Sequence, residues 1–471
     1  MTRAHRRLLL ISHRPLHLHS SNGGSVYALA MFSVDIVSVS DDELVAVVKD
    51  HFARELELLR RATPSAESVG VSAASNHETP SFKLFGADYA EVNRTVTSIL
   101  CLKWILAGDY EAFTRSQPQE ARLQPDSFSK LQKMFKQWLT TAYEVYLEMV
   151  ATMVGDVGKA QSLAEEVKAH GRKASGNHDE LLYEAAEAHL IPCLEALDET
   201  DRRDMLLGLE FAAKLNIPQL AQGENVPGSL TGVVSFKSEP RAVRFKILEV
   251  FLDVAGAAAQ TSCKGSLTMD ENTYHTFTST IDALREFIEV RDLTEIECYN
   301  KVLDARADLL VRRGMPKKLN VQNKEQRALL RMLCMGRVAN AELAHHFQTA
   351  FDNLGSNKRK LVRHLNASGM SKDDVAVLPY YAPALFVNVV KAAEGHKGDH
   401  ERRDWLKTAL TELMSLLNRV CSRQGNLCLE SGPYVLERNL SFVLKTINSE
   451  EFQSDSHALR SLELPWASNG A

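Results

Sequence analysis

The stretch that most constrains the fold covers residues 241–265 and reads RAVRFKILEVFLDVAGAAAQTSCKG. Between residues 250 and 259 every position is apolar or glycine except Asp253. A helix that is apolar on all sides is buried inside a protein. The stretch therefore predicts a central buried helix over about 241–264, with other helices packed around it.

A polar seam is expected along that helix. Glu249, Asp253, Gly256, Gln260 and Lys264 follow one another at helical spacing and would share one face. A lone buried carboxylate has to be ion-paired, hydrogen-bonded or bound to a metal, because an isolated buried charge is very costly. Two interpretations stay open: a structural ion pair to a neighbouring helix, or the wall of a site for a cation and an anionic substrate.

The composition is typical of an ordinary globular protein, with 45% hydrophobic and 24% charged residues. A formal net charge of -5 gives no reason to expect a nucleic-acid partner. No apolar run reaches the roughly 18 residues that a transmembrane helix needs. The seven cysteines form no CxxC pair, which argues against a zinc site or a disulfide framework and favours a cytoplasmic location.

Helical periodicity recurs along the chain and no alternating pattern marks a strand, so we predict an all-α fold, a large multi-helix assembly around the central helix. Residues 1–38 are expected to be an N-terminal extension, either a disordered or targeting segment or the product of a wrong gene start. A helical domain over 39–315 would carry the candidate site, and a C-terminal helical region over 324–447 would pack on it. Residues 448–471 are expected to form a tail.

Acidic residues follow a glycine-containing break. Asp179, Glu180 and Glu184 lie in DELLYE, and the last two are one helical turn apart, so both could address one ion. Carboxylates are the ligands that Mg²⁺ prefers, together with substrate phosphate and water. Glu224 and Asn225 lie in a polar segment that interrupts a helix and are further candidates. The alternatives are a solvated helix N-terminus for the first group and helix capping for the second.

His178 and Asp179 form an HD doublet that resembles the HD-domain phosphohydrolases. The resemblance places Asp253 at that family's downstream aspartate, with His170 as the available upstream histidine. It implies a hydrolase in which a bound metal activates water.

The same stretches resemble class I terpene cyclases, which bind Mg²⁺ through a DDxxD motif and an (N/D)DxxSxxxE motif. DELLYE resembles the first motif, and LDVAGAAAQ resembles the second, with Asp253, Gly256 and Gln260 at the family's spacing. Leu252 and Gln260 replace two of that family's ligands. The chain also resembles, at a distance, atypical fungal cyclases that form humulene-type sesquiterpenes, which have a reduced metal cluster and a diphosphate-binding lysine. Lys264 is the candidate for that lysine.

The resemblance to cyclases implies a lyase in which Mg²⁺ and Lys264 stabilise a departing diphosphate while an apolar cavity folds the cation. The first alternative is an HD-type metal-dependent phosphohydrolase, and the second is a non-catalytic helical interaction protein. A sealed apolar pocket would favour cyclisation and an open polar one hydrolysis, whereas the absence of a cavity beside Asp253 would favour the interaction protein. The predicted substrate is a prenyl diphosphate or another phosphate ester.

The predicted site residues are Lys264 and Asp253 as catalytic groups, Lys264, Gln260 and Asn225 as substrate-binding groups, and Asp179, Glu180, Glu184, Glu224 and Asp253 as ligands of Mg²⁺.

Overall fold

The computed structural model describes residues 35–62, 78–290, 292–396, 398–422 and 433–466. Helices dominate these residues, and the strands among them are two short segments, so the predicted all-α fold is confirmed. None of the described helices combines the length and the apolar character that a bilayer span requires. The predicted N-terminal extension falls almost entirely on residues 1–34, which lie outside the described residues.

The α-helices span Asp41–His51, Ala53–Arg61, Pro80–Phe85, Ala90–Ala107, Tyr110–Thr114, Pro125–Trp138, Ala142–Val154, Gln161–Ala169, His178–Glu187, Pro192–Glu195, Glu199–Lys214, Ile217–Ala221, Pro240–Gly256, Glu271–Glu289, Glu295–Arg312, Lys324–Met335, Ala341–Asp352, Ser356–Leu365, Ala382–Ala393, Asp399–Ser422, Val443–Ile447 and Glu450–Ser454. Shorter 3₁₀ segments span Val157–Lys159, Pro227–Ser238, Lys372–Asp374 and Ser456–Arg460, and the strands span Ala376–Leu378 and Val435–Glu437.

The central helix, Pro240–Gly256, begins with a proline at its first turn, where no backbone N–H is needed. It packs against the helices Ala90–Ala107, Ala142–Val154 and Glu199–Lys214. Most of its residues are buried, as predicted from its apolar sequence. The helix therefore forms the middle of the assembly, and any polar group on it has to find a partner within the protein.

The central helix is shorter than predicted. It ends at Gly256, and the chain then runs through turns. The Ser266 hydroxyl donates a hydrogen bond of 2.9 Å to the carbonyl oxygen of Ala255, which is one of the acceptors left open at a helix end. Gln260 and Lys264 consequently lie beyond the helix, and the predicted seam stops before them.

Gly256 lies where the central helix meets the helix Ala90–Ala107. A Cβ atom there would lie 2.5 Å from the carbonyl oxygen of Arg94 and closer still to the hydroxyl of Ser98. We therefore expect Gly256→Ala to lower the free energy of unfolding by about 1–3 kcal/mol through overpacking, measured by chemical denaturation. Gly176→Ala is the control, because no atom lies within 4 Å of a Cβ at that position. Equal stability of the two variants would contradict the close helix contact.

The two strands were not predicted, since three-residue segments are too short to show an alternating pattern. Ala376–Leu378 pairs in parallel with Val435–Glu437. Just beyond the pair, the amide of Leu440 donates to the carbonyl oxygen of Tyr380 at 2.9 Å. The pairing fixes the turn that holds Tyr380 and Tyr381.

The segment predicted as a tail packs on the protein as far as Trp466. Phe452 and Leu459 are fully buried. The guanidinium Nε of Arg460 donates to a carboxylate oxygen of Glu412 at 2.8 Å. The helical elements here are too short for a periodic pattern to reveal them.

Candidate functional site

A cavity of about 740 Å³ lies beside the central helix. Lys246, Glu249 and Asp253 of that helix line it, and so do Arg306 and Arg313. Its volume falls in the usual range for small-molecule sites. A cavity beside Asp253 is what both enzymatic interpretations require.

Asp253 is ion-paired to a neighbouring helix, as one of the two sequence interpretations proposed. Nε of Arg94 donates to Oδ1 of Asp253 at 2.9 Å, and Nη2 donates to Oδ2 at 2.8 Å. The same Nε lies 3.2 Å from Oδ2 of Asp156. Nζ of Lys159 approaches Oδ1 of Asp156 and Oε2 of Glu91, each at 2.8 Å. We call these five side chains, Glu91, Arg94, Asp156, Lys159 and Asp253, the charged wall.

Charges in the charged wall compensate one another. Burial by itself would raise the pKa of Asp156, but Arg94 and Lys159 overcome it and hold that pKa far below its usual range. Burial and the nearby Asp156 raise the pKa of Glu91. The wall thus holds two cations and three acids in direct contact, as a paired buried network requires.

Lys246 and Glu249 form a second pair on the cavity side of the central helix. Nζ of Lys246 lies 2.5 Å from Oε2 of Glu249. Burial raises the pKa of Glu249 to about 7 even though Lys246 acts in the opposite direction. Gly155 provides the room, because a Cβ there would lie 2.6 Å from Oε1 of Glu249. A carboxyl that titrates near neutral pH and faces a cavity is a candidate for proton transfer.

Arg306 and Arg313 lie about two turns apart at the end of the helix Glu295–Arg312, and both line the cavity. Arg306 is 5% exposed, and its Nη1 donates to the hydroxyl of Thr276 while its buried Nε has no hydrogen-bond partner among the described residues. Burial and the nearby Arg306 lower the pKa of Arg313 to about 10. Within the described ranges neither arginine forms an ion pair with a carboxylate. Two neighbouring arginines that lack a carboxylate partner favour the binding of an anionic ligand.

Glu224 shapes another part of the lining. Its Oε1 accepts a hydrogen bond of 2.8 Å from the backbone N–H of Tyr381, which has the unusual left-handed φ of 80° at the start of the helix Ala382–Ala393. Such a conformation in a non-glycine residue needs support from its surroundings. The rings of Tyr380 and Tyr381 meet edge to face with their centroids 4.6 Å apart, and both residues line the cavity.

Arg331 fixes the backbone that carries Glu224. It is 1% exposed, and its guanidinium donates to the carbonyl oxygens of Gly223 at 3.0 Å and of Glu224 and Asn225 at 3.1 Å each. A fourth bond of 2.6 Å reaches the carbonyl oxygen of Leu365. One side chain thus ties the predicted polar segment to the C-terminal part of the chain.

Three of the predicted acids line the cavity together: Asp179, Glu224 and Asp253. His178 also lines it, with Nε2 at 3.6 Å from Oδ1 of Asp179. These residues come from three separate elements of the fold and meet at one cavity.

Glu180 and Glu184 are engaged elsewhere and are not among the cavity-lining residues. Oε2 of Glu180 accepts a hydrogen bond of 2.5 Å from the hydroxyl of Ser175. Oε2 of Glu184 lies 3.0 Å from Nη1 of Arg172. Both contacts hold the segment before the helix His178–Glu187 against that helix. This arrangement gives no support to the expectation that the two carboxylates bind one ion.

Asn225, Gln260 and Lys264 are likewise not among the cavity-lining residues. The buried Asn225 amide donates to the carbonyl oxygen of Asn216 at 3.1 Å, a structural contact that differs from the helix capping considered as its alternative. The side chain of Lys264 is 58% exposed and pairs with Glu78 at 2.7 Å. The expectation that Lys264 shares the cavity of Asp253 is wrong, because the central helix ends before it.

The predicted Mg²⁺ ligands do not form a protein-held metal site. The part of the chain that the structure describes contains no group of three His, Cys, Asp or Glu side chains able to hold a metal ion. Arg94 already engages both oxygens of Asp253, and Glu224 accepts the amide of Tyr381. As arranged, these side chains do not fit such an ion, so no step below depends on Mg²⁺. A cation that enters with the substrate stays a prediction.

The cationic lining was missed by the sequence argument. Arg306 and Arg313 stand at helical spacing in LDARADLLVRRG, and that spacing on a partly apolar helix was the available signal. The sequence motifs pointed to metal ligands and therefore to acids. Arg94 gave no signal, since its partners are distant in sequence.

A family model described as "Family of unknown function (DUF6829)" matches residues 45–459. No curated protein and no solved structure matches the chain.

Proposed function

Since the chain belongs to this family of unknown function, we propose a function from the cavity itself: the protein is an enzyme that binds a phosphate-bearing small molecule there and hydrolyses its phosphate ester. The observation that carries this proposal is the pair Arg306 and Arg313, which line the cavity without a carboxylate partner among the described residues. Arg306 is buried, whereas Arg313 is partly buried and donates to the carbonyl oxygens of Val338 and Asn272. A buried cation is stable when it is paired, and a phosphate group would supply that pairing.

Arginine suits this role because its planar guanidinium offers several N–H donors in a geometry that matches phosphate oxygens. Nε of Arg306 still has a donor to offer. The aromatic residues Phe277, Tyr380 and Tyr381 line the same cavity and offer apolar surface to the remainder of an ester. The lining thus contains one kind of group for phosphate and another for a carbon skeleton.

Hydrolysis is better supported than the cyclisation predicted from the terpene cyclase resemblance. A cyclase has to protect a carbocation, which requires a mainly apolar cavity. Here Lys246, Glu249 and Asp253 line the cavity together with the arginines. Glu249 and Asp253 would offer nucleophilic oxygens to a cation, and the polar lining admits the water that hydrolysis consumes.

Arg306→Met should weaken the binding of inorganic phosphate and pyrophosphate by about 10- to 100-fold, because a hydrogen bond to a charged group contributes about 1.5–3 kcal/mol. Isothermal titration calorimetry measures the affinities, with and without Mg²⁺. Arg203→Met is the matched control, since Arg203 is an exposed arginine that pairs with Glu239 at 2.7 Å and does not line the cavity. Its affinities should equal those of the unmodified protein.

A panel of phosphate and diphosphate esters, with released phosphate as the readout, then tests the reaction. Turnover that disappears in Arg306→Met and persists in Arg203→Met supports the proposal. Absence of phosphate binding by the unmodified protein, or equal weakening in the two variants, would overturn it.

A further inference from the structure

Behind Glu249 lies a second acid that does not line the cavity. Glu148, in the helix Ala142–Val154, is fully buried. Both of its carboxyl oxygens are shielded from solvent, and neither has a hydrogen-bond partner among the described residues. The helix that carries Glu148 packs against the central helix. Glu148 lies between Glu144, whose Oε1 is 3.7 Å from Nη2 of Arg244, and Gly155, which the carboxyl group of Glu249 closely approaches. Within this packed interface the Glu249 carboxylate raises the pKa of Glu148. An unpartnered buried carboxylate is very costly, whereas a protonated carboxyl is not.

The cations close to these two acids are too few to neutralise both. Lys246 contacts Glu249 at 2.5 Å. Arg244 lowers the pKa of Glu148 only weakly. Its Nη2 lies 3.7 Å from Oε1 of another acid, Glu144. Two carboxyl groups that share one close cation in a buried place cannot both be ionised without a large penalty.

The remaining charged groups around Glu249 do not change this balance. Asp253 and Asp156 are acids that disfavour its ionised form. Arg94 and Lys159 are held by the acids of the charged wall. On the helix His178–Glu187, Asp179 raises the pKa of Lys246 and His178 lowers the pKa of Asp156.

We propose that Glu148 and Glu249 hold one proton between them at neutral pH, and that Glu249, the member that faces the cavity, donates it to the leaving oxygen of a bound phosphate ester. The direction of the pKa shifts agrees, since burial and then the other carboxyl raise the pKa of Glu148, and burial raises that of Glu249 to about 7. Glu148 is a positioning residue, because it acts on the substrate only through Glu249. The donor role rests on the proposed hydrolysis, whereas the shared proton does not.

Water attacks phosphorus, the bond between phosphorus and the ester oxygen breaks, and Glu249 protonates that oxygen as it leaves as an alcohol. The phosphate formed carries both protons of the water and returns one to the Glu249 carboxylate. The products are the alcohol and hydrogen phosphate, and the pair is protonated again without any further reactant.

Infrared difference spectroscopy of the protein alone tests the shared proton. At pH 7 the unmodified protein should show the C=O stretch of a protonated carboxyl, and both Glu148→Gln and Glu249→Gln should change the intensity or the frequency of that band. Glu91→Gln is the control, because Glu91 is another buried acid with a raised pKa that belongs to the charged wall. Glu91→Gln should leave the band of the pair unchanged. A spectrum unchanged by both the Glu148 and Glu249 substitutions would overturn the proposal even if phosphate binds.

Kinetics test the donor role. Glu249→Gln should slow hydrolysis of an alkyl phosphate by about 10²–10⁴-fold and that of nitrophenyl phosphate much less, because the latter leaving group needs no proton. A general acid works when protonated, so kcat/KM should fall as pH rises through about 7. In Glu148→Gln one member of the pair is gone, so the fall in kcat/KM should move to lower pH.

An unchanged pH profile in Glu148→Gln, or full alkyl phosphate activity in Glu249→Gln, would overturn the donor role. If no ester is hydrolysed at all, the proposed function and the donor role fail together, while the infrared bands still decide the shared proton. Thermal unfolding of each variant shows whether a loss of rate reflects a loss of the fold.

Discussion

Arg94→Met is expected to lower the free energy of unfolding by about 3 kcal/mol, since removing one partner of a buried ion pair leaves the other charge uncompensated. Arg94 holds both oxygens of Asp253 and also contacts Asp156. Only a quarter of its side chain is exposed, so water replaces little of what it provides. Lys159 still pairs with Asp156, which keeps the loss at the lower end of the expected range.

Urea denaturation followed by circular dichroism measures this loss. Lys264→Ala is the control, because its exposed ion pair with Glu78 should contribute less than about 1 kcal/mol. The double variant Arg94→Met/Asp253→Asn should recover part of the loss, since it removes the orphaned charge together with its partner. Equal stability of Arg94→Met and Lys264→Ala would contradict the structural role of the charged wall.

Arg331→Met is expected to lower the free energy of unfolding by about 3 kcal/mol or more, and to disturb the cavity as well. The guanidinium is nearly inaccessible and donates to four backbone carbonyl groups, three of them in residues 223–225. A buried acceptor left without a donor costs about 1–3 kcal/mol, and relaxation can satisfy only some of the four. The segment carries Glu224, which supports the strained backbone of Tyr381.

Two comparisons make this expectation specific. Arg331→Lys keeps the charge but lacks the planar donor geometry, so it should recover little stability. Arg327→Met, on the same helix, removes a single hydrogen bond of 3.5 Å to Asn366 and a contact over the Tyr299 ring. Its loss of unfolding free energy should therefore be smaller. Pyrophosphate affinity should fall in Arg331→Lys under conditions where the protein remains folded. An unchanged affinity would show that the 223–225 backbone does not shape the binding cavity.

Local patterns of the sequence determined the helical character of the chain. The helix Asp41–His51 begins behind a capping box, which Ser40 and Glu43 form at the spacing that this motif requires. The apolar stretch around Val250 forms a buried helix as predicted, because a helix that is apolar on all sides has no face for water. The same argument required a partner for Asp253, and that partner exists. These are consequences of spacing and polarity within a few turns.

The tertiary structure decided which partner each charge has. Arg94 and Asp253 are 159 residues apart in the chain, and periodicity carries no information over that distance. Lys264 followed the same helical spacing as Asp253, yet it lies outside the cavity because the chain turns after Gly256. Where a helix stops inside a packed assembly depends on its neighbours as well as on its own residues.

The candidate site shows the same division. Asp179, Glu224 and Asp253 were identifiable as unusual acids in apolar or broken helices, and all three line one cavity. Their roles were not identifiable, because a carboxylate looks the same in a sequence whether it holds a metal, an arginine or a backbone amide. The arginine pair and the two carboxyl groups at Glu148 and Glu249 acquire their properties from burial beside like charges. Burial and proximity of that kind arise only when distant helices pack together.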